Sequence, residues 1–138
     1  MELLNVGCGS QTFEYAINID VIEDKSLNII EGDANELDEL YDSNSVDVIY
    51  MLCPYRYYPF LSKAHEILKP TGLLVITGTY SNTYFKEVWL SSETFINQMG
   101  FDTVSKAQNC HPEFFNSRTS RGKKIEVSTI KQVILRKR

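Results

Sequence analysis

The segment Val46-Asp47-Val48-Ile49-Tyr50-Met51-Leu52 is apolar almost throughout and lacks the alternation of a strand that faces water on one side. A strand of this kind is covered on both faces, which is the condition of a strand in a parallel sheet. Shorter runs at 2–6, 16–20, 27–31, 72–77, 103–107 and 127–136 complete a set of seven predicted strands. The intervals between them have helical or turn character, and that order predicts an α/β sheet rather than a sandwich or a bundle.

Two intervals carry helix signals. Over 60–68, Phe60, Leu61, Ala64, Ile67 and Leu68 recur at the three-to-four spacing of one helix face, and Lys69-Pro70-Thr71-Gly72 is expected to end it. A second helix is predicted from a cap at Ser91 or Ser92 through Met99, with Glu93 near its start and Gly100 just beyond its end. The polar stretch 110–124 reads as a long loop before the last strand.

A length of 138 residues, 43% of them hydrophobic and 23% charged, suits one soluble globular domain spanning 1–138. No apolar run approaches the roughly 20 residues of a membrane span, and no secretory leader is visible. Cys8, Cys53 and Cys110 are odd in number and widely spaced, which argues against a disulfide framework or a four-cysteine zinc site and favours a reducing cytoplasm. Charge is divided unevenly. Residues 118–138 hold eight basic side chains against Glu126, a balance of +7, while the first 117 residues hold six against seventeen acids, a balance of -11.

The first strand runs directly into Gly7-Cys8-Gly9-Ser10, a pair of glycines that allows a tight turn and close backbone approach at the carboxyl edge of a sheet. A turn with no ligand accounts for the pair equally well. Asp20 stands at the end of the second strand, eleven residues after Gly9, where a carboxylate can accept from two ribose hydroxyls or simply be solvated. A dinucleotide site places its acid about 20 residues on and adds a third glycine, and neither is present. The interval 11–15 is too short for a full helix.

In order along the chain, Leu3-Leu4-Asn5-Val6-Gly7-Cys8-Gly9-Ser10, Asn18-Ile19-Asp20-Val21, Glu31-Gly32-Asp33-Ala34, Val46-Asp47-Val48-Ile49-Tyr50 and Ile67-Leu68-Lys69-Pro70-Thr71-Gly72-Leu73-Leu74-Val75-Ile76 resemble the class I S-adenosylmethionine-dependent methyltransferases. The resemblance implies a Rossmann-like, three-layer α/β fold with reduced helices and a seven-stranded mixed sheet of order 3-2-1-4-5-7-6, the last strand antiparallel. It implies S-adenosylmethionine as cofactor over the ends of the first four strands. Gly7, Cys8 and Gly9 would approach the methionyl part, Asp20 would bind ribose, Val21 would flank adenine, Asp33 and Ala34 would address its amino group, and Met51 would border the site. The chain departs from the family at Asn5, where many members carry an acid, and at Gln11, where many carry a third glycine. The helices that usually precede the first strand do not fit within the chain, so an open site, or one closed by a partner or a homo-oligomer, is expected.

Cys53-Pro54-Tyr55 is similar to the loop of methyltransferases that act on amino nitrogens, which implies that Pro54, Tyr55 and the adjoining Arg56 border the acceptor. The aromatic run 53–60 together with 77–86 is also similar to methyltransferase-like domains at the ends of bacterial polymorphic toxins. His65 is expected to pack or face solvent within its helix, and Cys110 beside His111 lacks a third ligand for a metal. The basic loop 118–124, with Arg118, Arg121, Lys123 and Lys124, is expected near the acceptor mouth, where it would attract an anionic partner such as RNA or a nucleotide, or merely be solvated. The resulting expectation is methyl transfer to a small-molecule or nucleotide-like acceptor, with a non-catalytic methyltransferase-fold binding module as the alternative.

Overall fold

The computed structural model describes residues 1–7, 12–21, 25–52, 60–108 and 129–138. Seven strands form one sheet: β1 (Leu3–Val6), β2 (Ile17–Asp20), β3 (Ile29–Glu31), β4 (Val46–Leu52), β5 (Leu68–Gly78), β6 (Phe101–Gln108) and β7 (Lys131–Lys137). Their order is β3-β2-β1-β4-β5-β7-β6. The pairs from β3 through β5 are parallel, and β7 runs antiparallel between β5 and β6. This is the order and sense expected from the resemblance. The largely apolar β4 lies between β1 and β5 near the middle of the sheet.

Chain order and handedness decide which face the connections occupy. Passing from β1 to β2 to β3 the chain moves one way across the sheet, and from β3 it returns to β4 on the other side of β1. Right-handed crossovers therefore place the first two connections on one face and the later ones on the opposite face. The later connections carry the helices: α1 (Leu37–Leu40), α2 (Phe60–Ile67), α3 (Thr83–Leu90) and α4 (Glu93–Gln98). Leu37, Leu61, Ala64, Ile67, Phe85, Val88 and Ile96 from these helices join Leu4, Val6, Ile19, Ile49, Met51, Leu74, Ile76, Val133 and Leu135 from the strands in one buried core. These strand residues share one face of the sheet, as the registers show.

On the opposite face, among the described residues, a 3-10 turn at Lys25–Leu27 and short irregular chain stand in place of α-helices. The third layer implied by the resemblance is reduced there to an aromatic cluster. Phe13 stacks on Tyr15 at 5.2 Å between ring centroids, and both meet Tyr50 of β4 edge-on at 5.7 and 5.8 Å. Ile130 is buried against the same cluster. Such pairs contribute about 0.5–1.5 kcal/mol each beyond their burial, so a few rings anchor a connection too short to bury a helix face. Burial raises the Tyr50 and Tyr15 phenol pKa values, the latter also through Tyr50.

The α2–β5 junction differs from the sequence expectation. Leu68 does not finish the helix but pairs with Val46 as the first residue of β5. The β4–β5 register breaks there, a step of two residues in β4 (Val46 to Val48) facing a step of five in β5 (Leu68 to Leu73). On its other side β4 is also irregular, the amides of Asp47 and Val48 both donating to the Glu2 carbonyl, at 2.9 and 3.3 Å. Val46 and Leu68, paired beyond this break, are both buried in the helix-side core. Within this junction Thr71 has φ 65, a left-handed conformation that is costly for a β-branched residue. Gly72 has no such freedom to offer, because a Cβ there would lie 2.8 Å from the Lys69 carbonyl oxygen and 3.1 Å from that of Asp47. Thr71→Gly is expected to raise Tm by about 3 °C, from about 1 kcal/mol of relieved strain, whereas Gly72→Ala lowers it. Thermal unfolding of both variants measures this, and equal shifts would show that the junction is not strained as described.

Helix α3 is an addition to the two helices expected from the sequence, and its signal is local. Asn82 caps it by accepting from the Phe85 amide at 2.8 Å, and Phe85, Val88 and Trp89 supply the inward spacing. Helix α4 begins at the expected cap, with Ser92 Oγ accepting from the Phe95 amide at 3.2 Å.

Candidate functional site at the carboxyl edge of the sheet

The sequence change of direction between β1 and β4 creates a crevice at the carboxyl ends of the parallel strands, the usual binding place in open α/β sheets. Gly7 extends β1 by one residue into a left-handed turn of φ 67, and its amide donates to the Ile19 carbonyl at 2.8 Å. One strand over, the Gly32 amide donates to the Asp20 carbonyl at 2.8 Å. These two bonds tie the ends of β1, β2 and β3 into one rim. Asp20 stands partly exposed on it, and Val21 beyond it is 62% exposed.

Next to Val21 the rim falls into a pocket of about 430 Å³ lined by Val21, Glu31, Gly32, Asp33, Glu36, Glu39 and Leu40. Among the described residues its lining is four carboxylates, two exposed apolar side chains and a glycine, with no basic residue. Asp33 is extended at φ -103 and caps the following 3-10 turn, accepting from the Asn35 amide at 2.8 Å through Oδ1. Oδ2 is the carboxylate oxygen this cap does not use. Ala34 is buried beneath it, as is Met51, whose side chain lies in the helix-side core at 1% exposure. Any contact these two make with a ligand is through their backbone.

The structure thus brings Gly7, Asp20, Val21, Asp33, Ala34 and the end of β4 to one edge. Cys8, Gly9, Pro54, Tyr55, Arg56 and the basic loop 118–124 lie outside the described residues.

Behind the glycine turn is a polar network that the sequence reading did not find. Asn5 and Asn18 are directly paired across β1 and β2, and both are buried. Asn5 Nδ2 donates to Asn18 Oδ1 at 3.0 Å, and the same oxygen accepts from the Phe13 amide at 2.9 Å. Asn18 Nδ2 donates in turn to the carbonyls of Phe13 and Ala16, at 3.0 and 3.3 Å. The Asn18 side chain therefore fixes the chain where it returns from the glycine turn toward β2. The signal in the sequence was an Asn in each of two adjacent apolar strands, since buried amides need partners.

A third feature lies at the far end of the same edge, where β5 gives way to α3. Tyr80 is 44% exposed there, with Lys131 Nζ 4.6 Å and Lys86 Nζ 5.8 Å from its ring centroid. Lys131 opens β7 and pairs with Gly78 of β5 and Gln108 of β6.

Among the described residues no group of three or more histidine, cysteine or acidic side chains is arranged to hold a metal, and no helix is long and apolar enough to cross a membrane.

The chain has the fold of the class I S-adenosylmethionine-dependent methyltransferases. It superposes on such an enzyme from Archaeoglobus fulgidus with a TM-score of 0.65 and 15% identity, covering 99% of this chain and 86% of the other. A 30S ribosomal A1408 methyltransferase from an uncultured bacterium gives a TM-score of 0.65 at 13% identity, covering 99% and 87%. A Haloferax volcanii methyltransferase, solved with the Trm112 methyltransferase activator, gives 0.64 at 11% identity, covering 99% and 81%. No protein-family model and no curated protein matches the sequence.

Proposed function

We propose that this chain is an S-adenosylmethionine-dependent methyltransferase, starting from the fold it shares with those enzymes. The observation that carries the reading is the make-up of the β2–β3 pocket, apolar at Val21 and Leu40, acidic at Glu31, Asp33, Glu36 and Glu39, and, among the described residues, without a cation. A dinucleotide brings a pyrophosphate that such a rim repels. S-adenosylmethionine has no phosphate and carries a sulfonium cation, which acids and carbonyls favour.

The chemistry of the described residues on this edge supports the assignment of roles. Asp20 accepts hydrogen bonds from the ribose hydroxyls, Val21 and Leu40 offer apolar surface to adenine, Asp33 addresses its amino group, and Gly7 with Gly9 admits the methionyl end. Cys8, Ala34 and Met51 contribute backbone. When bound, the cofactor supplies an electrophilic methyl group, so the protein needs no nucleophile of its own. Its work is to hold the acceptor in line, which is an orientation effect. Pro54, Tyr55 and Arg56 are assigned to the acceptor side, a small molecule or nucleotide-like compound, with RNA drawn through the 118–124 loop.

The Haloferax enzyme's activator complex supports closure of this chain's site by a partner or a second copy. A second reading, a binding module without catalysis, is favoured by Asn5: its amide is spent on Asn18 at the position where many family members carry an acid.

Calorimetric titration of the full chain with S-adenosylhomocysteine and with S-adenosylmethionine tests the proposal. Saturable binding of both is expected. No heat of binding at ~1 mM ligand, a free energy weaker than about 4 kcal/mol, would rule out a cofactor site in the chain alone.

A further inference from the structure

The carboxyl edge is electrically divided. Four carboxylates line the pocket at the β2–β3 end, while two ammonium groups converge on Tyr80 at the β5–β7 end. Other described lysines are held by oxygen: Lys63 by Asp38, Lys69 by Asp47, Lys106 by the carbonyls of Trp89 and Ser91, and Lys137 by Asn44 and the Leu68 carbonyl. Lys86 and Lys131 instead meet an aromatic ring, and among the described residues no carboxylate pairs with either, Glu87 beside Lys86 included.

The two distances to one ring centroid, 4.6 and 5.8 Å, leave the ammonium groups no more than about 10 Å apart, roughly a Debye length at 0.1 M salt. Their repulsion is offset only by cation–π contacts of about 0.5–1 kcal/mol at exposed sites. An anion beside the ring lowers the positive potential that the two ammonium groups set up there and accepts charge-assisted hydrogen bonds from a lysine that reaches it. Further donors are adjacent, namely the Tyr80 phenol and the Thr79 and Ser81 hydroxyls, which lie 2.7 Å from each other. The location also suits an acceptor: Thr77 pairs with Leu52 at the end of β4, so the Tyr80 turn is one strand removed from the loop assigned to the acceptor.

We infer that Lys86, Lys131 and Tyr80 form a subsite for a phosphate group on the methyl acceptor. The acceptor role rests on the methyltransferase reading; the anion site rests on the lysines alone. A cationic cofactor at one end of the edge and an anionic acceptor at the other would then be sorted by charge before any specific contact forms.

The test is a nuclear magnetic resonance titration of the labelled full chain with inorganic phosphate, against chloride at matched ionic strength. Saturable shifts at Tyr80, Lys86 and Lys131 are expected with phosphate and not with chloride. In K86Q/K131Q the apparent affinity is expected to fall at least tenfold, while the spectrum stays dispersed and S-adenosylhomocysteine affinity stays within about twofold of the parent. A nucleoside 5′-monophosphate is expected to outbind its nucleoside in the parent chain and to lose that preference in the double variant.

Shifts equal to those in chloride, or a phosphate affinity unchanged by the double substitution, would overturn the subsite. Phosphate binding at the lysines in a chain that binds no S-adenosylhomocysteine would overturn the methyl-transfer reading and leave the anion site standing. The reverse pattern would do the opposite.

Discussion

Asp20→Ala is expected to weaken S-adenosylhomocysteine binding by roughly 30- to 700-fold, corresponding to about 2–4 kcal/mol for the loss of a charged acceptor shared by two ribose hydroxyls. The substitution removes only the carboxylate. The strand geometry survives, because the bond from the Gly32 amide is made to the Asp20 backbone carbonyl at 2.8 Å. Thermal unfolding of the variant in the absence of ligand measures any folding defect directly, which separates it from a binding defect. Asp20→Asn keeps an acceptor oxygen without the charge and is expected to fall between the two. An Asp20→Ala variant that binds as tightly as the parent would place the cofactor elsewhere.

Asn18→Ala has the largest expected effect on stability, a loss of about 3–4 kcal/mol against a whole-domain stability of about 5–15 kcal/mol. One side chain makes four hydrogen bonds in a buried place, and truncation withdraws partners from the Phe13 amide, the Phe13 and Ala16 carbonyls and Asn5 Nδ2 together. Denaturant unfolding gives the number, and a loss below about 1 kcal/mol would show that water or repacking replaces the network.

Asn18→Asp sharpens the test through pH. The carboxylate still accepts from Asn5 and Phe13 but faces the Phe13 and Ala16 carbonyls without a proton to give. Its folded pKa is thus raised above the unfolded value of about 3.9. The unfolded chain releases this proton first, so the variant loses stability as pH rises through the window between the two values and is least impaired in acid. The parent lacks this group and its dependence. Because the network fixes the return of the glycine turn, Asn18→Ala is also expected to weaken cofactor binding even where the protein remains folded.

Several features were legible because their physics is local. The unalternating run at β4 announced burial on both faces, and its bounds are those of the observed strand. Ser92 announced the start of α4 because a cap is a contact between near neighbours. Gly7, Asp20 and Asp33 are legible as strand-end residues, and the structure sets them on one edge. The helix α3 was passed over since Asn82 caps a segment whose apolar face shows only once Phe85 and Trp89 are set against the core. Leu68 has the spacing of the α2 face, yet its pairing with Val46, twenty-two positions earlier in the chain, claims it for β5.

The division follows the range of the forces involved. Element type, strand ends and the acidic and basic halves of the chain follow from neighbouring residues and are present in the order of amino acids alone. Which residues share a pocket, which face of the sheet keeps its helices, how Asn5 meets Asn18, and where Lys86 and Lys131 close on Tyr80 depend on contacts between residues separated by 13 to 55 or more positions or by crossover handedness. Such contacts exist only after the strands have paired in one register. Charge summed along the chain placed a basic character near the carboxyl end; folding added a Lys86–Lys131 pair drawn from two distant segments, opposite an acidic pocket on the same edge.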